Sequence, residues 1–301
     1  MKHVISISLG SSKRNHTVQA EFLGEKFLIE RIGTDGDMNK AEALLKELDG
    51  KVDAFGMGGI DLYIVTGGRR YAIRDAERLA RAVTKTPIVD GGGLKNTLER
   101  RVIRYLEESN RVTLAGKRAL LVSGADRWGM AEGLTQAGCI LTCGDIIFAL
   151  GLPIPLRSLN QLKVAAALIA PIVVRLPFKL LYPTGKKQEE VNPRFTRYYL
   201  DNDIIAGDFL FIKRHLPAEI PGKTIITNTV TATDVEDLRA RGVKTLVTTT
   251  PELGGRSFGT NVMEAVLVSL AKKPWTELTE NDYEELLDRL DLKPRILTLN
   301  E

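Results

Sequence analysis

From Lys117 to Asp145 the chain runs through an apolar stretch, a glycine-bounded loop, a helical pattern, a second apolar stretch and a closing acid. Arg118–Ser123 (RALLVS) is short, apolar and flanked by turn chemistry, which predicts a buried strand. Gly124-Ala-Asp-Arg-Trp-Gly129 follows, then a helix over Met130–Ala137 that Gly138 ends, then a strand over Cys139–Cys143 closing at Gly144-Asp145. This is the order of a dinucleotide-binding unit, and Asp145 lies 21 positions (145 − 124) after Gly124, close to the roughly 20 expected of a ribose-binding carboxylate. Such a turn aims backbone N–H groups and the positive end of a helix dipole at a phosphate. The middle position of G-x-G-x-x-G is Asp126, however, and a carboxylate there repels a pyrophosphate. Arg127 would offset that charge or contact a phosphate, as arginine does in 2′-phosphate recognition, whereas Asp145 would repel a 2′-phosphate. NAD or NADP is therefore the expected cofactor with the choice open, held by Gly124, Asp126, Arg127, Gly129 and Asp145.

The remaining pattern predicts an α/β fold with two domains. Residues 1–113 alternate strand-like and helix-like runs: Val4–Leu9, Phe27–Ile32, a helix over Asn39–Leu48, Val52–Met57, a helix over Ala76–Val83 capped by Asp75, Pro87–Val89, and a helix over Asn96–Glu108. Asp61–Val65 and Arg70–Ile73 flank Thr66-Gly67-Gly68 as a hairpin. Residues 114–274 form a Rossmann-like doubly wound parallel-sheet domain with later strands at Ile204–Ala206, Thr224–Thr227 and Thr245–Thr248. Its strands end in small polar residues, and carboxyl ends of parallel strands line the ligand crevice, so Thr229 joins the cofactor set. Gly259, beside Arg256 at the start of the last long helix, joins it as a source of free N–H groups, with Thr260 or Asn261 as the helix cap. Residues 275–301 contain an acidic amphipathic helix over Glu280–Leu290 that packs back on the N-terminal domain.

The N-terminal domain offers substrate chemistry. Gly10-Ser11-Ser12-Lys13-Arg14 follows the first strand, and its N–H groups and cations suit a carboxylate or phosphate, although no P-loop pattern is present. Asp90-Gly-Gly-Gly-Leu-Lys95 permits close approach of a ligand, with Asp90 and Lys95 as a proton-transfer pair. Gly58-Gly59-Ile60-Asp61 repeats the theme one strand earlier, and both would serve one cleft. A solvated turn explains each of these motifs separately. Of the three histidines, His3 reads as structural and His16 as a surface residue, while His215 follows two cations beyond a crevice strand and is a candidate general acid.

Net charge is +4, from 42 scattered basic and 38 acidic residues, which suits a small anionic metabolite and gives no basic face for nucleic acid. Cys139 and Cys143 share one apolar run with no metal-ligand spacing, so both read as core residues in a reducing compartment and no metal is expected. MKHVISISLG has no signal-peptide pattern, and a cytoplasmic protein is expected. Ile146–Leu156 and Val164–Val174 are uncharged apolar runs too short for a transmembrane segment. They predict buried helices at a domain or homodimer interface within residues 146–182, with a lipid-facing surface or an apolar substrate lid as the alternatives, followed by an exposed turn over 181–187.

The phrases SLGSSKR, RIGTDGD, GGIDLY, VDGGGLKNTLER and GRSFGTNVMEAVL run over nearly the whole chain and together resemble the bacterial quinate 5-dehydrogenases, relatives at fold level of shikimate dehydrogenases. The resemblance implies an N-terminal substrate domain, a Rossmann NAD(P) domain, and hydride transfer between C5 of a cyclic hydroxy acid and nicotinamide. Shikimate dehydrogenases carry their lysine in N-V-T-x-P-x-K with a partner aspartate, a motif absent here, so Lys95 and Asp90 stand in from local chemistry. The expected function is thus an NAD(P)-dependent oxidoreductase acting on a small polar hydroxy or keto acid. Lys95 would act at the substrate oxygen; Ser11, Ser12, Lys13 and Asp61 would bind the substrate. The alternatives are a non-redox Rossmann-like protein binding S-adenosylmethionine or another adenosine ligand, which brings no pyrophosphate to Asp126, and a metabolite sensor.

Overall fold

A computed structural model describes residues 1–66, 69–176 and 192–301. Gly67, Gly68 and the expected turn at 181–187 lie outside the described residues. In chain order the first elements are β1 (Lys2–Ser8), β2 (His16–Phe22), β3 (Glu25–Gly33), α1 (Met38–Leu48), β4 (Ala54–Gly58), β5 (Tyr63–Thr66), β6 (Arg69–Ala72), α2 (Arg74–Ala80) and β7 (Ile88–Val89). Next come α3 (Gly92–Glu108), β8 (Arg118–Leu121), α4 (Trp128–Gln136), β9 (Ile140–Cys143), α5 (Asp145–Leu150), α6 (Leu159–Val173), α7 (Thr196–Leu200) and β10 (Ile204–Ala206). The chain ends with α8 (Phe209–His215), β11 (Thr224–Thr227), α9 (Ala232–Ala240), β12 (Thr245–Thr248), β13 (Glu252–Leu253), β14 (Arg256–Ser257), α10 (Thr260–Leu270), α11 (Glu280–Arg289) and β15 (Arg295–Thr298). The fold class is α/β, with two mostly parallel sheets flanked by helices.

The chain divides into two compact units: residues 1–95, 169–189 and 259–292, and residues 96–168, 190–258 and 293–301. The division falls inside α3 rather than at 113, and α10 belongs to the first unit rather than the second. The last residues part company: α11 is in the first unit while β15 closes the second sheet.

The first unit has strand order β2-β3-β1-β4-β7, parallel except for β2. Val4, Ile5, Phe55 and Met57 are buried, and Ile5, Phe55, Met57, Leu45 and Ile73 form one apolar cluster. Strand β2 alternates exposed and half-buried residues, the pattern of an edge strand, and sequence periodicity gave it no apolar face to detect. Helix α10 packs on β1 and β4 so closely that a Cβ at Gly56 would meet Asn261 within 3 Å. Helix α2 starts after Ile73 with no side-chain cap, so Asp75 sits in its first turn instead of capping it.

The second unit has strand order β9-β8-β10-β11-β12 in parallel, with β15 antiparallel at the β12 edge. The order reverses at β8, so the tips of β8 and β10 flank the crevice where open α/β sheets take ligands. Leu120, Ile205, Ile225 and Leu246 fill its core together with Tyr199 and Phe209. A capping box between Thr231 and Asp234 starts α9. Among the described residues no helix is long and apolar enough to cross a membrane. Of the apolar runs at 146–156 and 164–174, the second lies in α6, which leaves one apolar face exposed in the single chain, while in the first α5 ends at Leu150 and residues 151–158 are irregular.

Candidate functional site

At the carboxyl tips of the first sheet, Lys95 occupies the first turn of α3 and Asp61 follows β4 by three residues. Lys95 Nζ lies 3.0 Å from Asp61 Oδ1, with side chains 9% and 17% exposed. The two motifs flagged by their glycines therefore meet, through Lys95 and Asp61. Asp90 Oδ1 accepts from Gly92 N at 2.8 Å and its Oδ2 from Leu62 N at 2.5 Å. Gly91, at φ +95°, turns the chain so that this carboxylate folds back on the start of α3. Asp90 thus anchors the loop that carries Asp61.

Behind the glycines sits a residue that sequence reading missed. Glu264 of α10 is 3% exposed, and Tyr283 Oη of α11 donates to its Oε1 at 2.8 Å. Burial, reinforced by the charge of Asp90, raises the Glu264 carboxyl to about 8 despite bonds from Tyr283, Gly91 and Gly93. A Cβ at Gly93 would lie 2.3 Å from Glu264 Oε1, so this acid dictates a glycine there. The signal in the sequence was a lone acid inside the apolar run Val262–Leu270.

The turn after β1 is closed from within. Ser12 N donates to Asp35 Oδ1 at 2.8 Å, Lys13 N to Ser11 Oγ at 3.3 Å, and Arg31 to Ser11 O at 3.1 Å and Ser8 Oγ at 2.9 Å. The bonds from Ser12 hold the Asp35 carboxyl below its ordinary range. The Ser12 and Lys13 amides are thus engaged by Asp35 and by Ser11 Oγ, and the Lys13 side chain is exposed.

The glycine turn of the second unit is closed in the same way. Asp145, the first residue of α5, accepts from Gly124 N at 2.9 Å through Oδ2 and from Ala125 N at 2.8 Å through Oδ1. Desolvation outweighs these bonds and raises its carboxyl to about 6. Arg127 is 3% exposed and its guanidinium contacts Glu99 at 2.5 Å, Asp208 at 3.3 Å and Asp126 at 3.7 Å. Burial would lower its pKa, but those carboxylates hold it above the ordinary arginine value. Asn228 Nδ2 donates to Asp208 at 2.8 Å, and Thr229 N to Asn228 Oδ1 at 2.7 Å. Gly129 N donates to Asn96 Oδ1 at 2.9 Å, and a Cβ at Gly129 would meet Asn96 O at 2.3 Å, so this glycine serves helix packing.

A pyrophosphate needs the amides that Asp145 takes, and it would also face the carboxylates of Glu99, Asp126 and Asp208 beside Arg127. As arranged, the turn does not fit the pyrophosphate of NAD or NADP, which corrects the roles expected of Gly124, Arg127 and Gly129. Each Asp145 oxygen keeps a second lone pair, enough to accept from a ribose hydroxyl. Gly259 is the N-cap of α10 and accepts from Val262 N at 3.0 Å; Asn261 donates to Ser6 Oγ at 2.7 Å instead of capping the helix. His215 is buried, bonded through Nδ1 to Asn192 O at 3.1 Å, stacked on Phe148 and lowered in pKa by burial, all marks of a neutral structural residue. Cys139 and Cys143 are buried and form no disulfide. No cluster of metal-ligating side chains occurs among the described residues.

Sequence families match both parts of the chain: "Domain of unknown function (DUF8754)" over residues 93–299 and "Domain of unknown function (DUF8753)" over residues 3–90. Among curated proteins, none matches. Solved structures similar to the chain include glutamate dehydrogenase from Thermus thermophilus, at 12% identity and a TM-score of 0.43, covering 96% of this chain and 74% of that one. A galactofuranose binding protein aligns at 12% identity and a TM-score of 0.36 over 97% and 99% of the two chains. L-tryptophan dehydrogenase from Nostoc punctiforme aligns at 12% and 0.36 over 89% and 67%. Dehydrogenases and sugar-binding proteins thus stand side by side, and at these scores neither carries an argument about activity.

Proposed function

This chain belongs to the DUF8754 family, and we propose that it acts on a small polar hydroxy or keto acid at the carboxyl tips of its first sheet. The observation that carries this reading is the buried Lys95–Asp61 pair. A buried ammonium held by a carboxylate can donate a proton to a substrate oxygen and recover it, while Asp61 keeps the lysine charged and aimed. The resemblance to quinate 5-dehydrogenases supports this substrate class, and the acid–base step stands without a dinucleotide at the Gly124 turn.

Thermal unfolding with quinate, shikimate and simple keto acids tests the reading. The wild type is expected to gain stability with at least one of these acids, by about 2.7 kcal/mol at 100 times Kd. K95M is expected to lose that gain. The charge-neutral pair K95M/D61L keeps the fold and should lose it too. Equal ligand stabilisation in wild type and K95M/D61L would refute the role given to the pair.

A second reading is favoured by the Asp145 geometry: a non-redox protein whose second unit takes an adenosine compound without phosphates, such as S-adenosylmethionine. A ribose hydroxyl would donate to Asp145, and such a ligand brings no phosphate to the turn whose amides that acid already holds. Stabilisation by S-adenosylmethionine that D145A removes supports this reading; its absence in the wild type rules it out.

A further inference from the structure

Helix α6 is apolar on both of its faces. Leu162, Ala166, Ala170 and Val174 point into the protein and are at most 8% exposed. On the opposite face Val164, Leu168 and Ile172, spaced four apart, are 60%, 70% and 65% exposed. A surface helix normally sets polar residues opposite its buried stripe, yet from Val164 to Val174 there is no polar side chain at all. Leu150, Leu152 and Ile154, in the segment leading to α6, are about half exposed. Among the described residues, seven of thirteen exposed large hydrophobics fall within 150–176, a concentration that scattered surface exposure does not produce.

The charge around this face selects its occupant. No Asp or Glu occurs between Asp145 and Glu189, in a chain with 38 acidic residues, whereas Arg157, Lys163 and Arg175 are exposed around the apolar stripe. A second copy would bring these cations against their own kind with no acid in the segment to pair them. An anionic surface over an apolar interior matches both features, because long cationic side chains reach outward while aliphatic ones insert.

We propose that the exposed face of α6 docks this protein on the surface of an anionic lipid bilayer, lying in the interface without spanning it. Co-sedimentation with vesicles tests this, using phosphatidylcholine alone and phosphatidylcholine mixed with an equal part of phosphatidylglycerol, alongside sedimentation velocity without lipid. The wild type is expected to bind the mixed vesicles and not the neutral ones. L168E, an exposed change whose folding is checked by its Tm, is expected to abolish binding. R157Q, K163Q and R175Q should each weaken it about fivefold. Failure to bind mixed vesicles, or binding that L168E leaves intact, overturns the proposal. So does a lipid-free dimer that L168E dissociates, since the face would then be covered by a second copy.

Discussion

Glu264 and Lys95 show how single side chains in the first unit set its response to pH and to mutation. The Glu264 carboxyl is raised from 4.5 to about 8 by burial and by Asp90, so the folded state favours its protonated form. Stability from this group is therefore full below 4.5 and is lost as pH rises through 8, a fall on the order of a few kcal/mol. Urea unfolding across that range should show the fall in the wild type, and E264Q, which keeps the shape without the titration, should flatten it. At Lys95, K95M leaves the part-buried Asp61 carboxylate without this cation and is expected to cost about 1–3 kcal/mol, much of which K95M/D61L should restore. Lys95 and Asp61 were both legible as candidates, because ionic residues beside glycines at strand tips are few. Their pairing was not, since 34 residues separate them and Asp90 lies nearer in sequence. Glu99 gave no signal: on a helix as charged as α3 it reads as a solvated residue, yet it is 1% exposed against Arg127.

Elements were most legible where buried parallel strands impose continuous apolar runs. The spans Ile204–Ala206, Thr224–Thr227 and Thr245–Thr248 coincide with β10, β11 and β12. Helix α3, by contrast, begins at Gly92 rather than Asn96, because glycine's poor helix propensity is overridden by the need to pass Glu264 without a Cβ. The strand–turn–helix of β8 and α4 was legible as a motif, but its meaning was not. Its glycines satisfy packing, and its closing acid caps the turn; spacing alone cannot separate a carboxylate that holds a ribose from one that holds two amides. Two glycines allow a direct check by thermal unfolding. G129A drives a Cβ into the backbone of Asn96 and should destabilise by about 3 kcal/mol or more. G116A meets open space and carries only the strain of φ +74°, about 1 kcal/mol. At the start of α9, T231A removes the capping box and should cost about 1 kcal/mol.

Across the whole molecule, each unit sets its second parallel strand beside its first, β3 next to β1 and β9 next to β8. In each, an acid just past that second strand bonds the amides of the first strand's turn: Asp35 to Ser12, and Asp145 to Gly124 and Ala125. The recurrence explains why the second unit reads in sequence as a nucleotide-binding domain while its anion site is already filled by the chain's own carboxylate. The two-domain α/β class was legible from the alternation of runs. The division was not, because the chain passes between units within α3 and α6, where helical periodicity continues unbroken. The most direct test of the closed turn is calorimetric titration of NAD and NADP into the wild-type protein and D145A at neutral pH. The structure predicts no saturable binding of either dinucleotide to the wild type; saturable binding that D145A weakens would contradict it.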